Sequence, residues 1–66
     1  MYVVRETHPG QALRVTLVSQ EIGEVVRHME VEGFQFVLDV LGTKVFDRPD
    51  GATASIAVED VTAGAA

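Results

Sequence analysis

The sequence predicts a small α+β domain with the element order β-β-α-β-β-β, in which one amphipathic helix packs on a mainly antiparallel sheet. The chain has 66 residues, enough for one domain. Segments on both sides of the centre alternate apolar and polar residues, as strands do, whereas one central segment repeats apolar residues at helical spacing. We expect a single domain over residues 1–61 and a flexible C-terminal tail over residues 62–66, which are small and weakly polar.

The first two strands are predicted to form an antiparallel hairpin. Residues 2–6 are rich in β-branched side chains, and residues 12–18 alternate apolar and polar ones. Between them, Pro9 and Gly10 occupy the second and third places of a four-residue turn. Pro presets φ there and Gly accepts a positive φ, so a tight reversal is expected.

One helix is predicted between the hairpin and the later strands. Ser19 is placed to cap its first turn, because a serine hydroxyl can accept from a free backbone N–H. Gly33 is placed to end it, because glycine readily adopts the left-handed conformation found after many helices. The apolar stripe expected to face the sheet consists of Ile22, Val25, Val26 and Met29.

The third strand, over residues 34–41, is apolar on both faces. Such a strand is usually central in its sheet or covered by another chain. Phe34, Phe36, Leu38 and Val40 alternate with a second face that contains Val37 and Leu41. The predicted core places the helix stripe against a sheet face that contains Leu13, Val15, Leu17, Phe36 and Leu38.

The last two strands are predicted over residues 44–47 and 52–59. Gly42 and Thr43 can form a tight turn before the first of them. The segment Arg48-Pro49-Asp50-Gly51 is typical of a turn between the two, because Pro and Gly suit its special backbone angles.

The charge and composition argue against several classes of partner. Ten acidic and five basic residues give a formal net charge of -5, so the basic surface typical of nucleic-acid-binding proteins is missing. The same acidity disfavours anionic membrane surfaces. No stretch approaches the roughly 18 apolar residues of a membrane helix, and the N-terminus lacks the pattern of a secretory signal. We therefore expect a cytoplasmic protein without nucleic-acid or membrane partners.

No residue pattern points to catalysis, a metal or a cofactor. Glu21, Glu24, His28 and Glu32 share one edge of the helix, but charged residues there normally form a solvated face. His8 is expected to be a solvent-facing loop residue. The chain has no cysteine, and no nucleophile elbow, phosphate-binding loop or calcium loop is found in its sequence. We predict that the protein is not an enzyme and has no catalytic, metal-binding or cofactor-binding residues.

The order of elements resembles the β-grasp order of ubiquitin-like proteins. That resemblance implies an alternative function as a sulfur carrier, whose chemistry takes place at a Gly-Gly terminus. This chain instead ends in Ala63-Gly64-Ala65-Ala66. The departure falls on the residues that would carry the chemistry.

The short chain and its surplus of apolar strand residues favour a non-enzymatic protein-interaction module. It could be a small accessory subunit or an inhibitor encoded by a mobile element. The alternative is a structural subunit that assembles into homo-oligomers through its sheet. The predicted interface lies on the sheet face away from the helix, because a large apolar patch on a small soluble domain usually marks a contact surface. Its residues are Tyr2, Val4, Val37 and Leu41, and the partner is another protein or a second copy.

Overall fold

A computed structural model describes residues 1–59, which form one five-stranded antiparallel sheet with a single helix on one face. The elements are β1 (Tyr2–Thr7), β2 (Arg14–Ser19), α1 (Ile22–Glu32), β3 (Gln35–Val40), β4 (Thr43–Asp47) and β5 (Thr53–Val58). The strand order is β2-β1-β5-β4-β3. This architecture confirms the predicted fold class and element order. The predicted tail at residues 62–66 lies outside the described residues.

The predicted turns form for the expected reasons, with one shift in position. Gln11 N donates to His8 O at 2.9 Å, and Gly10 has a φ of 75°, as the Pro-Gly pair predicts. The β3–β4 turn centres one residue earlier than predicted. Its central residues are Leu41 and Gly42, whose φ values are 51° and 87°. Two positive φ values are typical of a type I′ turn, which suits the right-handed twist of a hairpin.

The two ends of α1 are built differently. At the start, Ser19 ends β2 rather than capping the helix. Its hydroxyl nevertheless accepts from Glu21 N at 3.0 Å and donates to Glu24 Oε2 at 3.0 Å. At the end, Gly33 is left-handed, as predicted, and Phe34 N donates to Met29 O at 3.0 Å. Phe34 and Met29 are both buried, so this end also carries the apolar contact that accompanies such a motif.

The core lies between α1 and the central strands. Within the helix stripe, Val25 and Met29 are buried, whereas Ile22 and Val26 are largely exposed. The sheet side of the core comes chiefly from β1 and β5, which lie next to each other. The buried cluster consists of Val4, Val25, Met29, Phe34, Ala52, Ala54 and Ile56, with Tyr2, Leu17 and Phe46 packed against it.

The predicted core on β2 and β3 is therefore largely wrong. Leu13, Val15, Phe36 and Leu38 are all exposed, and Leu17 alone of the predicted sheet residues packs against the buried cluster. The cause is the strand order. Strand β5 pairs with both β1 and β4, which puts β3 at the far edge of the sheet, beyond the strands that α1 contacts.

A β-bulge further changes which side chains of β3 face the helix. Phe36 pairs with Phe46, but the next paired residue, Leu38, lies opposite Val45, so Val37 is an extra residue. Because a bulge places two residues opposite one, the alternation shifts beyond it. Leu38 and Val40 consequently lie on the helix-free face with Val37, and not on the helix side as the simple alternation predicts.

Candidate functional site

The outer edge of the sheet at β3 is open. Strand β3 pairs with β4 alone, so its other side presents backbone N–H and C=O groups without a strand partner among residues 1–59. All six of its residues are exposed. Proteins usually protect such an edge with lysine or proline, and β3 contains neither. Apart from its bulge, the strand lacks the common devices that prevent pairing with another chain.

The one charged residue of β3 is neutralised locally. Asp39 Oδ2 accepts from Lys44 Nζ at 3.1 Å, and its Oδ1 accepts from Gly42 N at 2.9 Å. The ammonium of Lys44 and the amide of Gly42 lower the pKa of Asp39. The carboxylate thus stabilises the adjoining turn and leaves the edge itself without net charge.

Apolar side chains emerge on both sides of this edge. On the helix side, Phe36 is 56% exposed and meets Phe46 edge to face, with ring centroids 5.6 Å apart. On the helix-free side, the bulge gathers Val37, Leu38 and Val40, each between 44% and 49% exposed. We call the outward backbone of β3 and these side chains, together with Leu41, the β3 edge surface.

Leu41 extends this surface to the tip of the β3–β4 turn. Its side chain is fully exposed, and its φ of 51° lies in a region that branched side chains disfavour. Asn and Gly are the usual residues at such a turn position. A leucine here makes the turn less stable and contributes nothing to the buried core, which favours a role in contact with another molecule.

The four predicted interface residues separate into two pairs. Val37 and Leu41 are exposed, and they lie at the β3 edge surface. The expected position of Tyr2 and Val4 on the helix-free face is wrong, because both pack beneath the helix. Val4 is fully buried, and Tyr2 lies against the core cluster. Strand β1 lies between β2 and β5, so Val3 and Val4 are buried and are not available to a partner.

The middle of the helix-free face is already covered. Val3, which alternates with Val4, is only 3% exposed. Its neighbour on that face, Arg5, forms a two-pronged ion pair with Glu59, which follows β5. This ion pair lowers the pKa of Glu59. The exposed apolar groups on this face therefore concentrate at the two sheet edges, and not at its centre.

Acidic groups surround the N-terminal end of β3. Glu30 and Glu32 lie in the last turn of α1, which contains no basic residue. Asp47 is the cross-strand partner of Gln35 at the start of β3. Arg48 partly compensates, since it donates to the Glu32 carbonyl at 3.1 Å and lies over the Phe34 ring at 5.0 Å.

A second polar feature is a buried carboxylate beneath the helix. Glu6 is 4% exposed, and its oxygens lie 2.7 Å from Thr16 Oγ1, 2.9 Å from His28 Nε2 and 3.1 Å from His8 Nε2. Burial alone would raise the pKa of Glu6, but these hydrogen bonds and the charge of His28 together lower it. An ionised carboxylate only accepts, so each imidazole must carry a proton on Nε2.

We call Glu6, His8, Thr16 and His28 the Glu6 cluster, and it shows that two predictions from the sequence are wrong. His8 is half-buried and bonded to Glu6, and it is not simply solvent-facing. The acidic residues and the histidine along the helix edge do not act as a unit, because His28 turns toward Glu6 and Glu24 toward Ser19. No group of three potential ligands within residues 1–59 is arranged to hold a metal ion. The sequence signal for the cluster is weak, since an isolated Glu in a strand looks solvent-facing.

A shallow groove beside α1 gives His28 partial access to solvent. It is lined by Leu17, Glu24, Arg27, His28 and Val31. The imidazole nitrogen nearest the sheet is already held by Glu6. The cluster ties β1, β2 and α1 together, and that is the role its geometry supports.

No helix within the described residues is long and apolar enough to cross a membrane. No protein-family model matches the chain, and neither curated proteins nor solved structures give a significant match.

Proposed function

We propose that this chain is a non-enzymatic protein-interaction module that binds an extended segment of a partner protein by strand addition at β3. Such a role suits a small accessory subunit or an inhibitor encoded by a mobile element. The observation that supports it is an edge strand exposed along its whole length, apolar on both faces and neutral in charge. In strand addition, main-chain hydrogen bonds supply affinity and the alternate side chains supply specificity.

The β3 edge surface is better suited to this role than the helix-free face as a whole. A partner strand beside β3 would satisfy the outer backbone groups, and its side chains would cover Phe36 on one side and Val37 with Leu38 on the other. The centre of the face offers no comparable contact, because the Arg5–Glu59 ion pair lies across it.

The test combines a disruptive variant with a matched control on the opposite edge. Val37→Glu with Leu41→Lys places charges on the β3 edge surface. Val15→Glu with Leu13→Lys makes the same exchanges at exposed residues in β2 and directly before it. Both should remain folded. A photo-reactive residue at position 38 should cross-link the natural partner in the parent and in the β2 variant, but not in the β3 variant. Equal cross-linking in both variants would refute the proposal.

Self-assembly through the sheet is a second candidate function. The opposite edge strand β2 and the segment before it expose Leu13, Val15 and Val18, so β3 of one copy could pair with β2 of the next. Such a head-to-tail contact would produce rings or open chains, and not two-fold symmetric dimers. Sedimentation over a wide concentration range tests it, because self-assembly requires a mass that grows without any partner. The carrier alternative depends on residues 63–66, which lie outside the described part of the chain.

A further inference from the structure

We infer that the segment which pairs with β3 runs antiparallel to it and carries Lys or Arg immediately after its apolar residues. This inference rests on the proposed function and specifies the partner's chemistry. It follows from a difference in charge between the two ends of β3.

The N-terminal end of β3 is acidic. Glu30 and Glu32 belong to the last turn of α1, Asp47 lies opposite Gln35, and Asp50 pairs with Arg48. With the one positive charge of Arg48, these residues carry a formal surplus of three negative charges. Arg48 lies closest to Asp50, with 2.6 Å between Nη2 and Oδ2, and 3.9 Å from the Glu32 carboxylate. The negative end of the α1 dipole points to the same place, since Gly33 and Phe34 bond to its last carbonyls directly before β3.

The C-terminal end of β3 is neutral and apolar. Asp39 is paired with Lys44, and beyond it come Val40, the fully exposed Leu41 and Gly42. A strand that approaches this edge therefore meets an apolar surface at one end and a surplus of carboxylates at the other. Cationic residues are favoured at the Gln35 end alone.

The direction of the partner follows from the sheet. Every pair of neighbouring strands in it is antiparallel, and antiparallel pairing is somewhat more stable per residue than parallel pairing. In an antiparallel addition, the residues that follow the partner's apolar stretch lie beside Gln35 and the acidic groups. The recognised pattern is thus an apolar strand followed by basic residues.

A second copy of this chain does not fit that pattern. If two β3 strands paired antiparallel, the segment beside Gln35 would be the partner copy's Val40, Leu41 and Gly42, which carry no positive charge. Each copy also has a formal net charge of -5, so two copies repel one another. The charge pattern favours a different, basic protein.

The experiment uses three labelled peptides with the full 66-residue chain and fluorescence anisotropy as the readout. Each has the same alternating Thr-Val strand; the first continues into two Lys, the second begins with two Lys and the third continues into two Glu. We expect the first to bind about tenfold more tightly than the second, as two partly screened ion pairs would produce. The difference should vanish at about 1 M salt, where the Debye length is about 3 Å.

Variants separate this inference from the proposed function. Glu30→Gln with Glu32→Gln should reduce the preference for the first peptide to about threefold or less, because Asp47 and Asp50 remain. Glu21→Gln with Glu24→Gln at the other end of α1 should leave the preference unchanged. Equal affinities for the first two peptides, a reversed preference, or no binding of any peptide at about 1 mM would overturn the inference. If the parent binds all three peptides equally and the Val37→Glu, Leu41→Lys variant binds them more weakly, strand addition at β3 stands, but the inferred preference for basic residues is wrong. If that variant binds every peptide as well as the parent does, strand addition at β3 itself is wrong.

Discussion

His28 Nε2 lies 2.9 Å from Glu6 Oε2, so the helix is held to strand β1 by a hydrogen bond to a buried carboxylate. The same carboxylate also binds Thr16 of β2 and His8, which lies in the turn after β1. One side chain therefore joins three parts of a domain whose apolar core is small.

Removal of this carboxylate should destabilise the fold. Glu6→Ala would leave Thr16, His8 and His28 without their common acceptor, so we expect the free energy of unfolding to fall by about 2 kcal/mol. Glu6→Gln keeps an acceptor and the shape, and should lose about half as much. Urea denaturation measures both. Gln11→Ala, at an exposed residue outside the helix and strands, is the control with almost no effect. A Glu6→Ala variant as stable as this control would mean that the cluster does not stabilise the domain.

The lowered pKa of Glu6 also predicts how stability depends on pH. A carboxyl group whose pKa is lower when folded contributes stability above its ordinary value of 4.5, and this contribution is lost as the pH falls through the folded pKa. The wild type should therefore lose stability steadily below about pH 4.5, and Glu6→Gln should flatten that part of the profile. Parallel profiles for the two proteins between about pH 5 and pH 3 would contradict the assignment.

Asp50 extends the same effect to lower pH. Arg48 and the Ala52 amide lower the pKa of Asp50 from 3.8 to about 2. Stability from this group is complete above pH 3.8 and disappears as the pH falls toward 2. Asp50→Asn should accordingly reduce the pH dependence of stability between pH 3.8 and about pH 2. Above pH 3.8 it should change the free energy of unfolding by an amount that does not depend on pH. Thermal melting at a series of pH values distinguishes this effect from that of Glu6.

The position of Phe36 at the sheet edge changes what its removal should do. A fully buried phenylalanine typically loses 3–5 kcal/mol on replacement by alanine, but Phe36 is 56% exposed. We expect Phe36→Ala to lower the free energy of unfolding by about 1 kcal/mol, and Met29→Ala in the buried core to lower it by about 3 kcal/mol. Chemical denaturation of the two variants in parallel checks the order. A larger loss for Phe36 than for Met29 would mean that the core extends to the β3 edge and that its placement between α1 and the central strands is wrong.

Leu41 should show opposite effects on stability and binding. Leu41→Gly removes the penalty of a branched residue at positive φ, so the domain should gain about 1 kcal/mol of stability. The same change removes an exposed apolar contact from the β3 edge surface, so cross-linking to the partner should weaken. Leu13→Gly, at another exposed leucine, should not stabilise the domain. A Leu41→Gly variant that binds normally would remove the turn tip from the proposed interface.

Local sequence signals predicted the elements of this fold but not their arrangement. The turn at Pro9 and Gly10 and the helix end at Gly33 depend on backbone angles that neighbouring residues dictate. The insertion of β5 between β1 and β4 is a long-range choice, and it decides that Phe36 is exposed and Ala54 is buried. No periodicity in a single strand contains that information.

The candidate site was predictable to a similar extent. Val37 and Leu41 stand out because they make a strand apolar on both faces, and this property is visible in the sequence. Leu38 and Val40 join them through the bulge, which no local pattern indicates. Val4 is β-branched, a property shared by buried and exposed strand residues, so the sequence did not predict its burial. It is buried because β1 lies between β2 and β5.

The bulge in β3 should allow the deletion of one residue that a regular strand would not tolerate. In a regular strand, loss of one residue exchanges the two faces of everything that follows, so single-codon deletions are rarely tolerated. Here Val37 is the extra residue. Phe36, Leu38 and Asp39 pair with three consecutive residues of β4 and so already alternate between the two faces as they would in a regular strand that lacks Val37. Deletion of Val37 would leave the Asp39–Lys44 pair and the hairpin turn in register. Strand β3 can thus be shortened by one residue, and its outer surface remodelled, without a change in the rest of the sheet.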